Sequence, residues 1–376
     1  MIRALIVDDE HLALQHLEKQ LQKTGNVLLV AKYSNTTSFL KDLKRLEFDV
    51  AFIDIEMPGL SGLDLADLIT DWNPYVIIVF VTAFRDYAVQ AFELDSTDYL
   101  LKPVIQERLE KTIQRIQSRL DVQTIEKESL LTNSQSNSVQ ITCFNEFNVY
   151  HHDEVVKWKT VKVKELFGLL LSQLNKHVQR DVIIESLWPD IEFERAKIQL
   201  HTTMSYLRKK LTTWDNRNTV HFSHGSYVLN LFEFDCDVNR FQEIVETSPN
   251  VTDDNIGQFE KAVEEYTGDY METNGYEWAV PIATALRQKL VHVLQLMVDY
   301  YAKNEIHNKQ HHYLQLLVTH NPYSDYATQQ LMQLYVSMGN RGEALKVYNR
   351  MKELLIDELG ISPEPSVTKL YQTLKK

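Results

Sequence analysis

Val50-Ala-Phe-Ile-Asp-Ile-Glu-Met-Pro-Gly59 is an apolar run that ends on a carboxylate and then turns at a Pro-Gly pair. An apolar run without polar alternation is a strand covered on both faces, as in a parallel sheet. Pro58 and Gly59 supply the turn chemistry that ends it. Working outward, the first 120 residues hold four similar runs: Arg3-Ala-Leu-Ile-Val7, Val27-Leu-Leu-Val30, Val76-Ile-Ile-Val-Phe-Val81 and Tyr99-Leu-Leu101. Helical stripes lie between them, Leu14, Leu17 and Leu21 in one and Phe39, Leu43 and Leu46 in another, and a last helix covers about 106–120. Strands alternating with helices predict a doubly wound, flavodoxin-like α/β domain over 1–120, with a five-stranded parallel sheet in the order 2-1-3-4-5.

That order makes strands 1 and 3 neighbours, so the polar residues at their carboxyl ends converge. Asp8 and Asp9 follow the first strand, Asp54 follows the third, Thr82 ends the fourth and Lys102 ends the fifth. Ligands of open α/β sheets bind at this edge. Converging carboxylates repel one another, and one is pushed towards its protonated form unless a cation intervenes. Mg2+, with its hard oxygen ligands, suits the set. An ionised Asp54 is then a nucleophile for phosphorus and forms an acyl phosphate. Lys102 is suited to pair with one phosphoryl oxygen, and the Thr82 hydroxyl to donate to another.

Val7-Asp-Asp-Glu10, Asp54-Ile-Glu-Met-Pro-Gly59 with Ser61-Gly62, Val81-Thr-Ala83 and Asp98-Tyr-Leu-Leu-Lys-Pro103 together resemble the response-regulator receiver family over residues 1 to about 120. The resemblance implies Asp54 as phosphoacceptor, served by Thr82 and Lys102, and a sensor histidine kinase as the partner that phosphorylates it. It implies Mg2+ held directly by Asp9 and Asp54 and by the backbone carbonyl of Glu56, with Asp8 acting largely through water. It also implies a switch in which Thr82 moves towards the phosphoryl group and Tyr99 rotates inward, and a cis bond before Pro103, where such bonds are affordable.

The net charge of -13 is unevenly spread. Residues 1–120 carry -5, 121–154 carry -5 and 233–376 carry -8, whereas 155–232 carry +5 from 12 Lys/Arg against 7 Asp/Glu. A lone basic segment suggests a localised anionic partner; an ordinary solvated face gives the same count. Residues 121–138 form a linker, mostly polar over 129–138. Over 139–232, β-like runs (Val139–Phe144, Phe147–Val149, Val155–Trp158) precede helical patterns at about 162–175, 180–188 and 194–211 and a hairpin around His224-Gly225-Ser226. This order predicts a winged helix-turn-helix.

Val155-Val-Lys-Trp158, Lys164-Glu-Leu166, Leu187-Trp188-Pro189, Ser205-Tyr-Leu-Arg-Lys-Lys-Leu211 and Gly225-Ser-Tyr-Val-Leu229 resemble the OmpR-like DNA-binding domain of the SARP family of bacterial activators, and imply double-stranded DNA as partner. On the third helix, Ala196, Leu200, Met204, Leu207 and Leu211 form the core stripe. The opposite face offers Arg195, Thr202, Ser205, Tyr206 and Lys209, with His201 and Arg208 at the flanks and the apolar Ile198 among them. Such side chains reach phosphates and base edges from the major groove, and Ile198 suits a thymine methyl. The wing carries His221, Ser223 and His224 towards a groove or phosphates. Arg208-Lys-Lys210 has a plainer reading as a complement to the helix dipole.

Residues 233–376 are patterned as helices. Tyr335, Gly339, Ala344 and Tyr348 fit a tetratricopeptide-like helix pair, and Tyr300, Asn304 and Tyr313 echo three of them 35 residues earlier. Two stacked pairs are expected rather than a long array. Tyr266-Thr-Gly-Asp-Tyr270, Glu277-Trp278-Ala279, Leu331–Tyr335, Gly342-Glu-Ala-Leu345, Tyr348 and Leu359-Gly-Ile-Ser-Pro-Glu-Pro365 resemble the bacterial transcriptional activator domain of SARP-type proteins. That implies oligomerisation and contacts with RNA polymerase.

Several classes are set aside. The chain has no GxxxxGK[ST] nucleotide loop and no HExxH pair, so a switch is expected rather than a metabolic enzyme. Cys143 and Cys236 are far apart in sequence, which argues against a disulfide framework or a cysteine-based metal site. His201, His221 and His224 fit no standard zinc spacing. No apolar run reaches the roughly 18–20 residues of a membrane helix, and the start lacks the pattern of a signal peptide; a cytoplasmic protein without membrane contact is expected. The expected function is a two-component response regulator whose phosphorylation at Asp54 changes DNA binding, with activation favoured by the resemblance. The switching surface is expected around Tyr99 and the receiver's fourth and fifth helices, changing interdomain contacts or a phosphorylation-dependent homodimer. The alternative is a phosphorylation-controlled protein-interaction scaffold that does not read DNA.

Overall fold

The structure, a computed structural model, describes residues 1–83, 98–130 and 139–375. The expected fourth receiver helix and the end of the linker lie outside the described residues. The chain divides into two compact units, 1–140 with 150–234 and 141–149 with 235–376.

The first unit begins with the parallel sheet. Its strands are β1 (Ile2–Val7), β2 (Val27–Tyr33), β3 (Val50–Asp54), β4 (Ile77–Thr82) and β5 (Asp98–Leu101), in the order β2-β1-β3-β4-β5. All four pairings are parallel, as the apolar runs predict. Side chains alternate between two cores. Leu5, Val7, Ala51, Ile53, Ile78 and Phe80 face the helices α2 (Thr36–Asp42) and α3 (Gly62–Trp72). Ala4, Ile6, Val50, Phe52, Val79 and Val81 face α1 (His11–Lys23) and the last receiver helix, Gln106–Leu130. That last helix runs beyond 120 into the expected linker. The Lys102–Pro103 bond is cis.

The winged helix-turn-helix follows in the same unit. Helices Val161–Ser172, Arg180–Leu187 and Phe193–Trp214 precede the antiparallel pair Thr219–Ser223 and Ser226–Asn230. His224 and Gly225 turn that hairpin with φ of 49° and 74°, the left-handed pair of a tight two-residue turn. Ala196, Leu200, Met204, Leu207 and Leu211 are fully buried, as the helical spacing requires.

In the second unit, helices Val280–Lys303, His307–His320, Asp325–Ser337 and Arg341–Leu354 form two successive hairpins, the pair of related helix pairs expected. Its inner strand residues matter as well. Cys143 and Cys236, distant in sequence, are buried with sulfurs 3.9 Å apart and unbridged. The adjacent Asp237 carboxylate accepts the backbone N–H groups of Cys143, Phe144 and Val238, so its oxygens are already engaged. No helix among the described residues is long and apolar enough to cross a membrane.

Candidate functional site

The sheet's carboxyl edge gathers the expected residues. Asp8 and Asp54 are buried, at 3% and 6% exposure, while Asp9 is open to solvent. Carboxylate oxygens of Asp8, Asp9 and Asp54 all lie within 4.8 Å of one another. Lys102 Nζ sits 2.7 Å from Asp54 Oδ2, 2.9 Å from Asp8 Oδ2 and 3.1 Å from Glu10 Oε2. Burial raises the Asp8 carboxyl above its ordinary value, with the Asp54 charge adding to the effect and Lys102 opposing it. Burial alone would lower the Lys102 ammonium, but its hydrogen bonds to Asp54 and Asp8 outweigh that and raise it. Three carboxylates against one ammonium leave an excess of negative charge held by hard oxygen donors. That donor set fits a divalent magnesium ion.

The turn after β3 is tied to this site through its backbone. The Glu56 N–H lies 3.4 Å from Asp54 Oδ1, and the Gly62 N–H donates to the Ile55 carbonyl at 2.8 Å. A Cβ on Gly62 would lie 1.9 Å from the Asp54 carbonyl oxygen, so only glycine lets α3 start this close to Asp54. Ser61 caps α3 by accepting the Asp64 N–H. Thr82 and Tyr99 are both buried, Tyr99 within the core that also holds Phe80 and Ile53.

The winged helix departs from expectation in one respect. Its Phe193–Trp214 helix does not present an open face, because α3 and that helix pack together. Ile198 is buried in the receiver core, burial worth roughly 1.5–3 kcal/mol for such a side chain. The His201 ring packs edge-on against Phe80 at 5.4 Å. Thr202 and Arg208, expected on an exposed DNA-facing surface, are 1% and 2% exposed. Arg195 pairs with Glu192 at 3.0 Å, Ser205, Tyr206 and Lys209 are half-buried, and His224 is exposed at the tip of the wing.

The polar centre of this contact is Asp67, on α3. Its Oδ1 takes Arg208 Nη1 at 3.2 Å and His201 Nδ1 at 3.2 Å, and its Oδ2 takes the Tyr227 hydroxyl. Arg208 also donates to Thr70 Oγ1 at 2.7 Å and to the Val220 carbonyl at 2.9 Å. Burial alone would raise the Asp67 carboxyl. The hydrogen bond and charge of His201, the charge of Arg208 and the Tyr227 hydroxyl hold it below the usual range. Asp64 pairs with Arg180, and Asp71 takes His221 Nδ1 at 3.1 Å and the Phe222 N–H at 3.2 Å. Sequence reasoning missed this set. The available signal was the spacing of Asp64, Asp67 and Asp71 on a helix whose other residues include Leu63, Leu65, Ala66 and Ile69, all buried.

Comparison with known proteins agrees with the geometry. Residues 4–114 match the response regulator receiver domain, and residues 236–375 match the bacterial transcriptional activator domain. The transcriptional regulatory protein BtsR of Escherichia coli (strain K12) is 40% identical over 151 residues, which is 40% of this chain and 61% of that protein. An uncharacterized response regulatory protein of Vibrio cholerae serotype O1 is 44% identical over 116 residues, 31% of this chain and 48% of that one. The chain thus spans between about half and three fifths of the length of these curated relatives. Among solved structures, Mycobacterium tuberculosis EmbR in complex with a low affinity phosphopeptide is alike in fold. Its TM-score is 0.52 over 63% of this chain and 65% of that one, at 23% identity. Two separate stretches of the chain thus match known families, the response regulator receiver domain before the winged helix and the bacterial transcriptional activator domain after it.

Proposed function

We propose that the chain is a two-component response regulator, phosphorylated on Asp54 by a sensor histidine kinase, and that it regulates transcription by binding double-stranded DNA. The observation that carries this reading is the Lys102 ammonium bridging Asp54 and Asp8 beside a third carboxylate, Asp9. Asp54 attacks phosphorus, the bond from phosphorus to the donor breaks, and an acyl phosphate forms. Lys102 leaves its carboxylate contact to pair with a phosphoryl oxygen, and Thr82 donates to another. Asp9, Asp54 and the Glu56 carbonyl, with Asp8 behind them, would hold Mg2+, which supplies charge neutralisation when bound. Tyr99 follows Thr82 as the second part of the switch. The receiver then serves as a switch rather than a metabolic enzyme.

DNA is read by the winged helix, through Arg195, Thr202, Ser205, Tyr206, Arg208, Lys209 and His224. The helical domain at the end supports oligomerisation and contact with RNA polymerase, and the protein works in the cytoplasm as an activator. The names of its relatives, a transcriptional regulatory protein and a response regulatory protein, support this assignment. The burial of Thr202 and Arg208 favours a second reading, an interaction scaffold that does not bind DNA.

Genomic fragments captured by the purified full chain, with and without magnesium and beryllofluoride, separate the two. Enrichment of a shared motif, strengthened by beryllofluoride in the wild type and not in Asp54→Ala, is the expected result. Enrichment that ignores beryllofluoride removes phosphate control. No enrichment in any state overturns the DNA reading in favour of the scaffold.

A further inference from the structure

We propose that the acidic face of α3 occupies the phosphate-binding site of the winged helix, so that Asp64, Asp67 and Asp71 and the phosphates of a DNA duplex compete for Arg180, His201, Arg208 and His221. The inference rests on the DNA reading above and adds to it the residues that hold the backbone and the surface that covers them.

The carboxylates are spaced like the ligand they replace. Positions 64, 67 and 71 are separated by three and four residues, so they form one stripe along the helix. Seven residues of helix rise about 10 Å. One strand of a duplex carries a phosphate every 3.4 Å or so along its axis, so about three phosphates span the same length. The partners come from three elements of the winged helix. Arg180 opens the second helix, His201 and Arg208 lie two turns apart on the third, and His221 stands in the wing.

Each acid engages at least one of these side chains: Asp64 with Arg180, Asp67 with His201 and Arg208, Asp71 with His221. The fit to carboxylate is incomplete. Arg208 Nη2 is buried without a hydrogen-bond partner among the described residues, and so is Arg180 Nε, which lies 3.8 Å from Asp181 Oδ1, beyond hydrogen-bond reach. A guanidinium carries five donors in a fork that matches phosphate, and a bidentate phosphate oxygen pair uses donors that these contacts leave idle. A purely structural joint would gain by satisfying them, since an idle buried donor carries a desolvation cost.

The test measures binding of a fluorescently labelled random-sequence duplex to the full chain by anisotropy, between roughly 50 and 200 mM salt. Asp67→Asn and Asp71→Asn are the opening variants. Asp71 bonds to the wing edge, at His221 and Phe222, and is half-buried rather than buried like Asp67, so that variant decides the matter should Asp67→Asn fail to fold. Both are expected to bind about tenfold tighter than wild type, within the usual span of coupling between sites. In the Asp71→Asn background, Arg180→Gln is expected to flatten the salt dependence by about 0.9 in the log–log slope, the signature of one lost phosphate contact. Wild-type duplex binding that neither opening variant tightens overturns the competition and leaves the DNA reading standing. An unchanged slope in Arg180→Gln also overturns it. No binding by any form at the lowest salt overturns both.

Discussion

Asp54 and Asp67 are two buried carboxylates of one domain, 6% and 3% exposed, and their surroundings are opposite in kind. Asp54 shares a single ammonium with Asp8 and Glu10, in a cluster where negative charge exceeds positive. Asp67 accepts from a guanidinium, an imidazole and a phenol, and is held ionised by them. Burial of a charge is costly unless it is paired and hydrogen-bonded. At Asp67 that cost is offset by its partners, and the carboxylate acts as a joint. At Asp54 the one ammonium is shared among several carboxylates, the arrangement the proposed phosphorylation would draw on. Stability and chemistry use the same residue type, distinguished by how many donors surround it.

The contrast can be broken at either end. Asp54→Ala is expected to abolish acid-labile phosphate on the receiver, read as a mass shift with a small phosphodonor, and chelation of magnesium should do the same to the wild type. Labelling that survives in the variant would move the nucleophile elsewhere. Asp67→Ala leaves the Arg208 guanidinium buried without its counter-charge, which typically costs about 3–5 kcal/mol, measured by urea unfolding. A cost below about 1 kcal/mol, the range of exposed pairs, would mean that the joint is open in solution.

The glycine between the two carboxylates offers a sharper probe. Gly62→Ala places a methyl 1.9 Å from the Asp54 carbonyl, forcing the start of α3 to move. Overpacking of that kind costs about 1–3 kcal/mol and here should also slow phosphorylation. Gly257→Ala, where nothing lies within 4 Å, is the control that should do neither. The smallest effect is in acid. The Asp67 carboxyl lies below its ordinary value of 3.8, so its contribution is present above that pH and is lost as the pH falls through the lower folded value. Tryptophan fluorescence should therefore show a shallower acid limb for Asp67→Asn than for wild type. Parallel limbs would remove Asp67 from the charge balance.

Much of the fold was legible because its signals are local. Continuous apolar runs, each ending on a polar residue, specify strands buried on both faces. The order of a doubly wound sheet then brings residues 8, 9, 54, 82 and 102 to one edge. The stripe Ala196, Leu200, Met204, Leu207 and Leu211 was equally plain from helical periodicity. The face opposite that stripe was misjudged as open. A polar-looking surface is the same string of letters whether water, DNA or another domain covers it. Ile198 was the one residue that did not suit an open face, and it proved to be buried in the receiver core. The two cysteines show the same limit, since distance along the chain said nothing of sulfurs 3.9 Å apart.

The sequence by itself determined which polar residues end the receiver strands, because apolar runs stop on an acid, a threonine or a lysine that the sheet order brings to one edge. Only the tertiary structure decided what Arg180, His201, Arg208 and His221 of the winged helix bind. Pairing between α3 and the Phe193–Trp214 helix depends on how two separately patterned surfaces meet, and no local spacing encodes that meeting. Its free energy comes from burying Ile198 and matching Asp64, Asp67 and Asp71 to charges over 100 residues away, from Arg180 onward. Those terms exist only once both surfaces are folded.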